Sequence, residues 1–450
     1  MVTLHSCFSS RHAIHSRDNH VEFCRRTHAV YVEELISSSA DSLELGVLFK
    51  YQMISDRLAR AADGEILIFA TEHALFVRFE DFARIMEGRD SLVTQGHFGI
   101  NTEIFGIRSN DETRRIARDM AAKCRAYSEF GKFVTEKELL EAFPTVPDWD
   151  YLNGVIPLAS MWSGQHPDLL GMPVVAVSLI YTPQLYSKYG PRWRAVFARH
   201  VNECHAAGDR RLFDMPPPEH VTDEPLTVYQ PGRPIAVVSL YTPNIASYAR
   251  YGEASLRAYC ERNGYTLYQH RDVPADFPRE ACGNWSKPFL LDKYLPHHEW
   301  VFWVDADILV TDPAVRLERF TQGRDRILTA DICGWRFNSG VMGFRRTEAN
   351  QKVLQSVLSR VLQIDDVKYT FSSHGDQFIF LEETLSHGLC PEPDSPDLLS
   401  FHELNTPWYF ANPRTFMCHF HGLSTELRTL FMSMGAVPEG GFEAIEDRGR

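Results

Sequence analysis

The feature that most restricts this chain is an apolar strand pattern that occurs twice. The stretch "EWVFWVDADILVTDP" (Glu299–Pro313) runs apolar and aromatic residues straight into Asp305 and Asp307. Far upstream, "EILIFATEHALFVRF" (Glu65–Phe79) has the same cadence, with Thr71 and His73 in the acidic positions. Such runs suit central strands of an α/β fold, buried on both faces.

Other segments repeat in the same order. "WSKPFLLDKYL" sets Lys287 on Lys50, and "RFNSGVMGFRR" lies over "GINTEIFGIRS". That second match sets Asn338 on Asn101, Gly340 on Glu103, Gly343 on Gly106 and Arg345 on Arg108. Near the ends, "NTPWYFANPRTFMCHFHG" resembles "YTPQLYSKYGPRWRAVFARHVNECHAAG", placing His419 on His205 and Gly422 on Gly208. A competing alignment sets "VVAVSLIYTP" (Val174–Pro183) against "IAVVSLYTP", but only the first leaves two complete copies. Between them, Asp214–Pro234 carries six prolines and reads as an extended linker, because proline lacks the donor that a helix or central strand needs. The expected organisation is a degenerate α/β domain over 1–213, a linker over 214–234 and a complete α/β domain over 235–450.

Within the second half, "IAVVSLY", "YTLYQHR", "EWVFWVD" and "NSGVMGF" read as strands. "ASYARYGEASLRAYCERNG", "SKPFLLDKYL" and "TEANQKVLQSVLSRVL" read as helices, with Gly264 as a C-cap and Thr347 as an N-cap. This alternation predicts a largely parallel sheet with ligands at the carboxyl ends of its strands. A formal charge of −13 argues against a nucleic-acid partner. No apolar run reaches the roughly 18 residues of a membrane span. Nine cysteines without CxxC spacing give neither a disulfide framework nor a zinc site, and read as reduced thiols in a cytoplasmic protein.

Two carboxylates at a strand end repel each other, and burial deepens the repulsion. A divalent cation removes that cost, and hard oxygen ligands suit Mg2+ or Mn2+. The metal could then neutralise a diphosphate that an acidic protein would otherwise reject. The plainer alternative is one capping and one solvated aspartate. In "HGDQFIF", Asp376 and Gln377 could orient a hydroxyl and stabilise a developing cation, and Asp376 serves equally as a helix N-cap. Asn338 and Gly340 would let a substrate approach the backbone, or form a plain turn. His419 in "FMCHFHG" is either a further Mn2+ ligand or a core histidine. Lys287 reads as a solvated helix residue or a phosphate contact.

Taken in order, "SLRAYCERNGYTLY", "WSKPFLLDKYL", "EWVFWVDADILV", "FNSGVMGFRR", "GDQFIF" and "CHFHG" resemble the nucleotide-sugar glycosyltransferases of GT-A fold. The likeness is strongest to the galactosyl-, mannosyl- and xylosyltransferase family of yeast mannan and plant xyloglucan enzymes. It spans roughly Ile235 to Phe431 and implies a GT-A fold for the second half. The family pattern has no obvious counterpart for the first half; it is the internal repeat that makes the expectation two tandem GT-A-like, Rossmann-like domains, of which only the second is complete. The resemblance further implies a retaining, Mn2+-dependent (or Mg2+-dependent) hexosyl or pentosyl transfer in polysaccharide biosynthesis. The donor would be a nucleotide sugar, with UDP favoured, and the acceptor a glycan or other hydroxyl.

By the same resemblance, Asp305, Asp307 and His419 are the metal ligands. Thr242, Lys287, Ala306, Asn338, Gly340 and Gly422 join the two aspartates in donor binding, and Asp376, Gln377 and Asn338 act near the reacting carbon. The lysine that related families keep after the HFxG segment is missing; "LSTELR" offers only Arg428. A haloacid-dehalogenase-like phosphatase also begins with an apolar strand and DxD, but Ile308 and Leu309 replace its small residues. A non-catalytic glycan-binding protein is the third reading.

Overall fold

The computed structural model describes residues 1–8, 14–35, 43–96, 99–129, 150–151, 155–157, 176–178, 190–208, 214–215, 222–332, 334–390, 392–393, 395–423 and 425–435. The chain divides into two compact units. One comprises Met1–Tyr186 with Gly190–Leu212, the other Ser187–Tyr189 with Phe213–Arg450.

In the first unit, β1 (Val2–Phe8) is flanked in parallel by β2 (Val30–Leu35) and β3 (Ile66–Thr71). Then come β6 (Gly99–Arg108), antiparallel to β3, β5 (Ser91–Gly96), antiparallel to β6, and β7 (Asp150–Tyr151), parallel to β5. A small second sheet orders β4 (Ala74–Phe76), β9 (Ala176–Ser178) and β8 (Val155–Pro157). The longer helices are α1 (Ile14–Thr27), α2 (Leu43–Leu58), α3 (Asp111–Glu129) and α4 (Gly190–Ala206).

The second unit builds a seven-stranded sheet in the order β10 (Leu226–Tyr229), β12 (Thr266–His270), β11 (Ile235–Leu240), β13 (Trp300–Val304), β16 (Asn338–Arg345), β15 (Arg326–Thr329) and β17 (Leu398–Leu399). From β12 to β17 the neighbours run parallel, parallel, antiparallel, antiparallel, parallel. That is the sequence of directions found from β2 to β7 in the first unit. The small sheet also has its counterpart, with β14 (Ile308–Val310), β19 (Met417–His419) and β18 (Thr406–Pro407). Helices α5 (Ala246–Asn263), α6 (Lys287–Tyr294), α7 (Glu348–Val361), α8 (Asp376–Ser386) and α9 (Thr425–Gly435) complete it.

Caps end the helices where the residues demand it. Gly264 closes α5 in the left-handed region at φ 76°, and the Thr347 side chain accepts from the Asn350 amide to start α7. Alternate residues of β13 feed two cores. Trp300, Phe302 and Val304 enter one face, while Val301 and Trp303 enter the other.

The register is the same in both sheets. Ile66 faces Arg108 and Ile68 faces Gly106; Trp300 faces Arg345 and Phe302 faces Gly343. The two aligned glycines therefore hold one place in their ladders.

Two expectations are corrected. The segment expected as a linker contributes β10, which pairs antiparallel with β12 at the sheet edge. "LTVY" lies between the prolines, and an edge strand needs partners on one side only. The alignment of His419 with His205 also fails. His205 is in α4 and its Nε2 bonds the Phe76 carbonyl at 3.2 Å, whereas the strand paired to β4 as β19 is to β14 is Ala176–Ser178. Ladder register thus places Ser178 where His419 stands. The matched histidines came from local similarity between unlike elements. The competing alignment, which matched this region to β11, fails for the same reason. Among the described cysteines, Cys7, Cys24, Cys124, Cys204, Cys260 and Cys418 are buried, and Cys282 and Cys390 are half-buried.

Gly252 lies inside α5, where glycine costs roughly 1 kcal/mol against alanine. A Cβ there would come within 2.4 Å of the Ala306 carbonyl oxygen. The helix backbone therefore rests on the loop that carries Asp305 and Asp307. Gly252→Ala is expected to destabilise the protein by about 1–3 kcal/mol in urea unfolding, despite its better helix propensity; a more stable variant would show that the loop yields.

Candidate active site

The apolar run that buries β13 stops at Val304, and the chain turns through Asp305–Asp307 before β14. Backbone bonds pin this turn on two sides. The Asp305 amide donates to the Gly340 carbonyl on β16 at 2.9 Å, and the Phe420 amide donates to the Asp307 carbonyl at 2.9 Å. With the backbone fixed, the two side chains point into a cavity of about 780 Å³ at the carboxyl ends of β11 and β13.

Asp307 meets the strand β19. Its Oδ1 is 3.2 Å from His419 Nε2 and its Oδ2 is 3.5 Å from Arg428 Nη1. Burial alone would raise the Asp307 pKa, but His419 and Arg428 outweigh it and hold the group below the usual carboxylate range. Asp305 moves the other way. Burial raises its pKa, Lys287 opposes this, and the neighbouring charge of Asp307 adds to the rise. One acid of the pair is thus tuned up and the other down.

Lys287 opens α6 and is 2% exposed. Its Nζ lies 3.1 Å from Asp305 Oδ1 and 2.8 Å from Asp376 Oδ2, and it donates to the Ser339 carbonyl at 3.1 Å. Burial works against its charge, yet the two carboxylates raise its pKa above the ordinary value. The side chain is therefore a buried cation shared by two acids, not a solvated helix residue.

Asp376 is the first residue of α8, and the cap position falls on Gly375 at φ 86°, so Asp376 does not cap the helix with its side chain. It also accepts from Ser339 Oγ at 3.0 Å, while Gln377 Oε1 accepts from the Ser339 amide at 3.1 Å. Asn338 is engaged within the protein. Its Oδ1 accepts from the Gly340 amide and from Asn405 Nδ2, and its Nδ2 donates to Asp331 Oδ1. It braces the start of β16. Thr242, Ala306, Gly340 and Gly422 all line the cavity.

Asp305, Asp307 and His419 place one ligand atom each within 4.8 Å of the others, so together they could hold a metal ion. Two details of the protein fit such an ion. His419 Nδ1 is buried without a hydrogen-bond partner among the described residues. A Cβ at Gly340 would lie 2.6 Å from His419 Cε1 and 2.9 Å from its Nδ1, so only glycine leaves the ring its place. His421 stands beside it with ring centroids 5.0 Å apart; burial, and then His419, lower its pKa to about 3, so it is neutral.

Residues 254–332 match the galactosyl transferase GMA12/MNN10 family. That span runs from within α5 to just past β15 and includes Lys287, Asp305 and Asp307. The chain carries a glycosyltransferase domain.

Solved structures that resemble the chain are glycosyltransferases too. One, involved in glycosylation of the major capsid of PBCV-1, is 18% identical over 44% of this chain and 98% of its own, with a TM-score of 0.35. The galactosyltransferase LgtC, in complex with donor and acceptor sugar analogs, is 14% identical over 45% and 98%, with a TM-score of 0.29. The WbbM bifunctional glycosyltransferase is 9% identical over 99% of both chains, with a TM-score of 0.30. No curated protein matches the sequence. Among the described residues, no helix of the glycosyltransferase chain is long and apolar enough to cross a membrane.

Several residues of this site carry no motif in the sequence. Trp303 Nε1 donates to Asp305 Oδ1, and Ser339 bridges Lys287, Asp376 and Gln377. Tyr248 receives Arg428 Nη1 at 2.8 Å. Only Gly252 carried a local signal, as a glycine in the middle of a helical pattern.

Two substitutions test this geometry. Gly340→Ala should weaken Mn2+ binding about tenfold or more, read by electron paramagnetic resonance titration; unchanged affinity would remove His419 from the site. Lys287→Met should cost about 3–5 kcal/mol in urea unfolding, because it leaves buried carboxylates unpaired. Adding Asp376→Asn should recover part of that loss.

Proposed function

We propose that the glycosyltransferase domain moves a hexose or pentose from a nucleotide sugar, with UDP favoured, to a hydroxyl of a glycan or other acceptor, with retention of anomeric configuration. The observation that carries this reading is the joining of two charge clusters in one cavity. The Asp305–Asp307–His419 group shares Asp305 with the buried Lys287–Asp376 pair.

Asp305, Asp307 and His419 would hold Mn2+ or Mg2+, whose part is to polarise the donor diphosphate as a Lewis acid. Arg428, 3.5 Å from Asp307 and exposed to the same cavity, adds a fixed positive charge on that side. Thr242 and the end of β11 take the nucleoside side. Asp376 and Gln377, locked by Lys287 and Ser339, stand where the sugar carbon would react. In the transfer, the bond from that carbon to the diphosphate oxygen breaks and the acceptor oxygen bonds to the same face. The acceptor's hydroxyl proton leaves on the departing diphosphate. Gln377 and Asp376 favour the cationic sugar through which this passes.

The first unit is read as a duplicated copy without the clamp. Thr71 and His73 occupy the register of Asp305 and Asp307, and the Thr71 hydroxyl is tied to the Glu103 carboxylate, where the second unit has Gly340. His73 Nε2 lies 3.8 Å from Glu72 Oε1. Its role would be structural or acceptor-binding.

Thermal unfolding with Mn2+ and a panel of nucleoside diphosphates tests the reading. UDP with Mn2+ is expected to stabilise the protein, and no stabilisation by any nucleoside diphosphate would end it. In turnover with the corresponding nucleotide sugars, Asp307→Ala should lose about 100-fold or more, while His73→Ala stays at the native rate. Equal losses would contradict a single catalytic copy.

A further inference from the structure

Two of the few large apolar side chains that the described second unit leaves exposed border this same cavity. Trp335 is 37% exposed and Phe371 is 85% exposed. They come from the segments leading into β16 and α8, the elements that carry Gly340 and Asp376. Trp335 packs edge-on against Phe378, with centroids 6.0 Å apart, and Phe378 meets His374 at 5.1 Å. Phe371 reaches Gly375, where a Cβ would touch its Cδ1 at 4.0 Å. The rings of Trp335, Phe378 and His374 form a ledge, beside which Phe371 stands against Gly375, the residue before Asp376.

The backbone under the ledge is held in an uncommon form. Ser373 and His374 take φ values of 49° and 69°, followed by Gly375 at 86°. Consecutive left-handed residues without glycine cost free energy, and such strain persists where the surroundings fix a needed shape. Here it sets the ring of His374 beside Phe378 and turns the chain into α8 at Asp376.

Resting on the glycosyltransferase reading, we infer that Trp335, Phe371 and His374 form the acceptor subsite, and that the acceptor is a saccharide. The cations Lys287 and Arg428 are engaged with Asp305, Asp376 and Asp307, on the side that suits a diphosphate. The ledge offers aromatic faces, with Thr370 and His374 as polar neighbours in the cavity lining. A pyranose has an apolar C–H face and a rim of hydroxyls, and matches that pairing of flat ring and polar edge. A fatty chain would leave the polar groups unpaired, and the lysine and arginine among the described residues of the cavity lining, Lys287 and Arg428, are already paired with carboxylates.

The test uses the full-length protein with UDP and Mn2+ present and saturation-transfer NMR as readout. The probes are methyl glycosides of glucose, galactose, mannose and xylose and their common disaccharides, beside a Ser/Thr peptide and a dodecyl glycol micelle. At least one saccharide is expected to bind. Trp335→Ala and Phe371→Ala should each weaken it about fivefold or more, with Trp335→Phe retaining most of the affinity. Stabilisation by UDP and Mn2+ should be unchanged in all three variants, which also reports that they fold. Saccharide binding that ignores both alanine substitutions, or no saccharide binding while UDP and Mn2+ still stabilise the protein, would overturn the subsite and leave the transferase reading standing. Capture of the peptide or the micelle alone would overturn it too. Loss of UDP binding in the native protein would instead strike the transferase reading.

Discussion

One buried ammonium sits between two carboxylates that arrive from separate elements. Lys287 begins α6, Asp305 follows directly on β13 and Asp376 begins α8, so the ion group ties three elements at one point. A lone buried charge costs several kcal/mol, and each member of this group is tolerable only because the others are there. That mutual dependence fixes the position of Asp376 and one arm of the candidate metal group together. Other features of the site, from Ser339 to Trp303, act as braces on this group.

Small residues supply the second constraint. Gly252 lets α5 press onto the Ala306 carbonyl, and Gly340 lets His419 stand against β16. Both are contacts in which a single methyl group would displace something the site uses. Close packing of backbone against loop makes the geometry of Asp305–Asp307 a property of the whole unit and not of its own short turn.

Much of this was legible in the residues. The apolar run before Asp305, the caps at Gly264 and Thr347, and the register that pairs Gly106 with Gly343 all follow from local pattern and alignment. Other parts were not local. That Lys287 is buried depends on two acids far along the chain, and no helical pattern announces it. Asn338 reads as a substrate contact or a plain turn, and its bonds to Asp331, Gly340 and Asn405 come from elements that no local pattern joins to it. The match of His205 to His419 failed because similarity of short strings carries no information about ladder partners. The prolines around "LTVY" hid an edge strand, since four residues with one paired side leave little pattern to read.

The turn at Asp305–Asp307 is secured by main-chain bonds, from its first amide to Gly340 and from its last carbonyl to Phe420. In the first unit the corresponding turn is likewise bound through its backbone, with the Glu72 amide donating to the Cys7 carbonyl at 3.0 Å. Main-chain bonds therefore hold this turn in both units, although the side chains at these positions differ. The same main-chain frame thus carries Asp305 and Asp307 in one unit and Thr71 and His73 in the other, and the strand keeps its course in both.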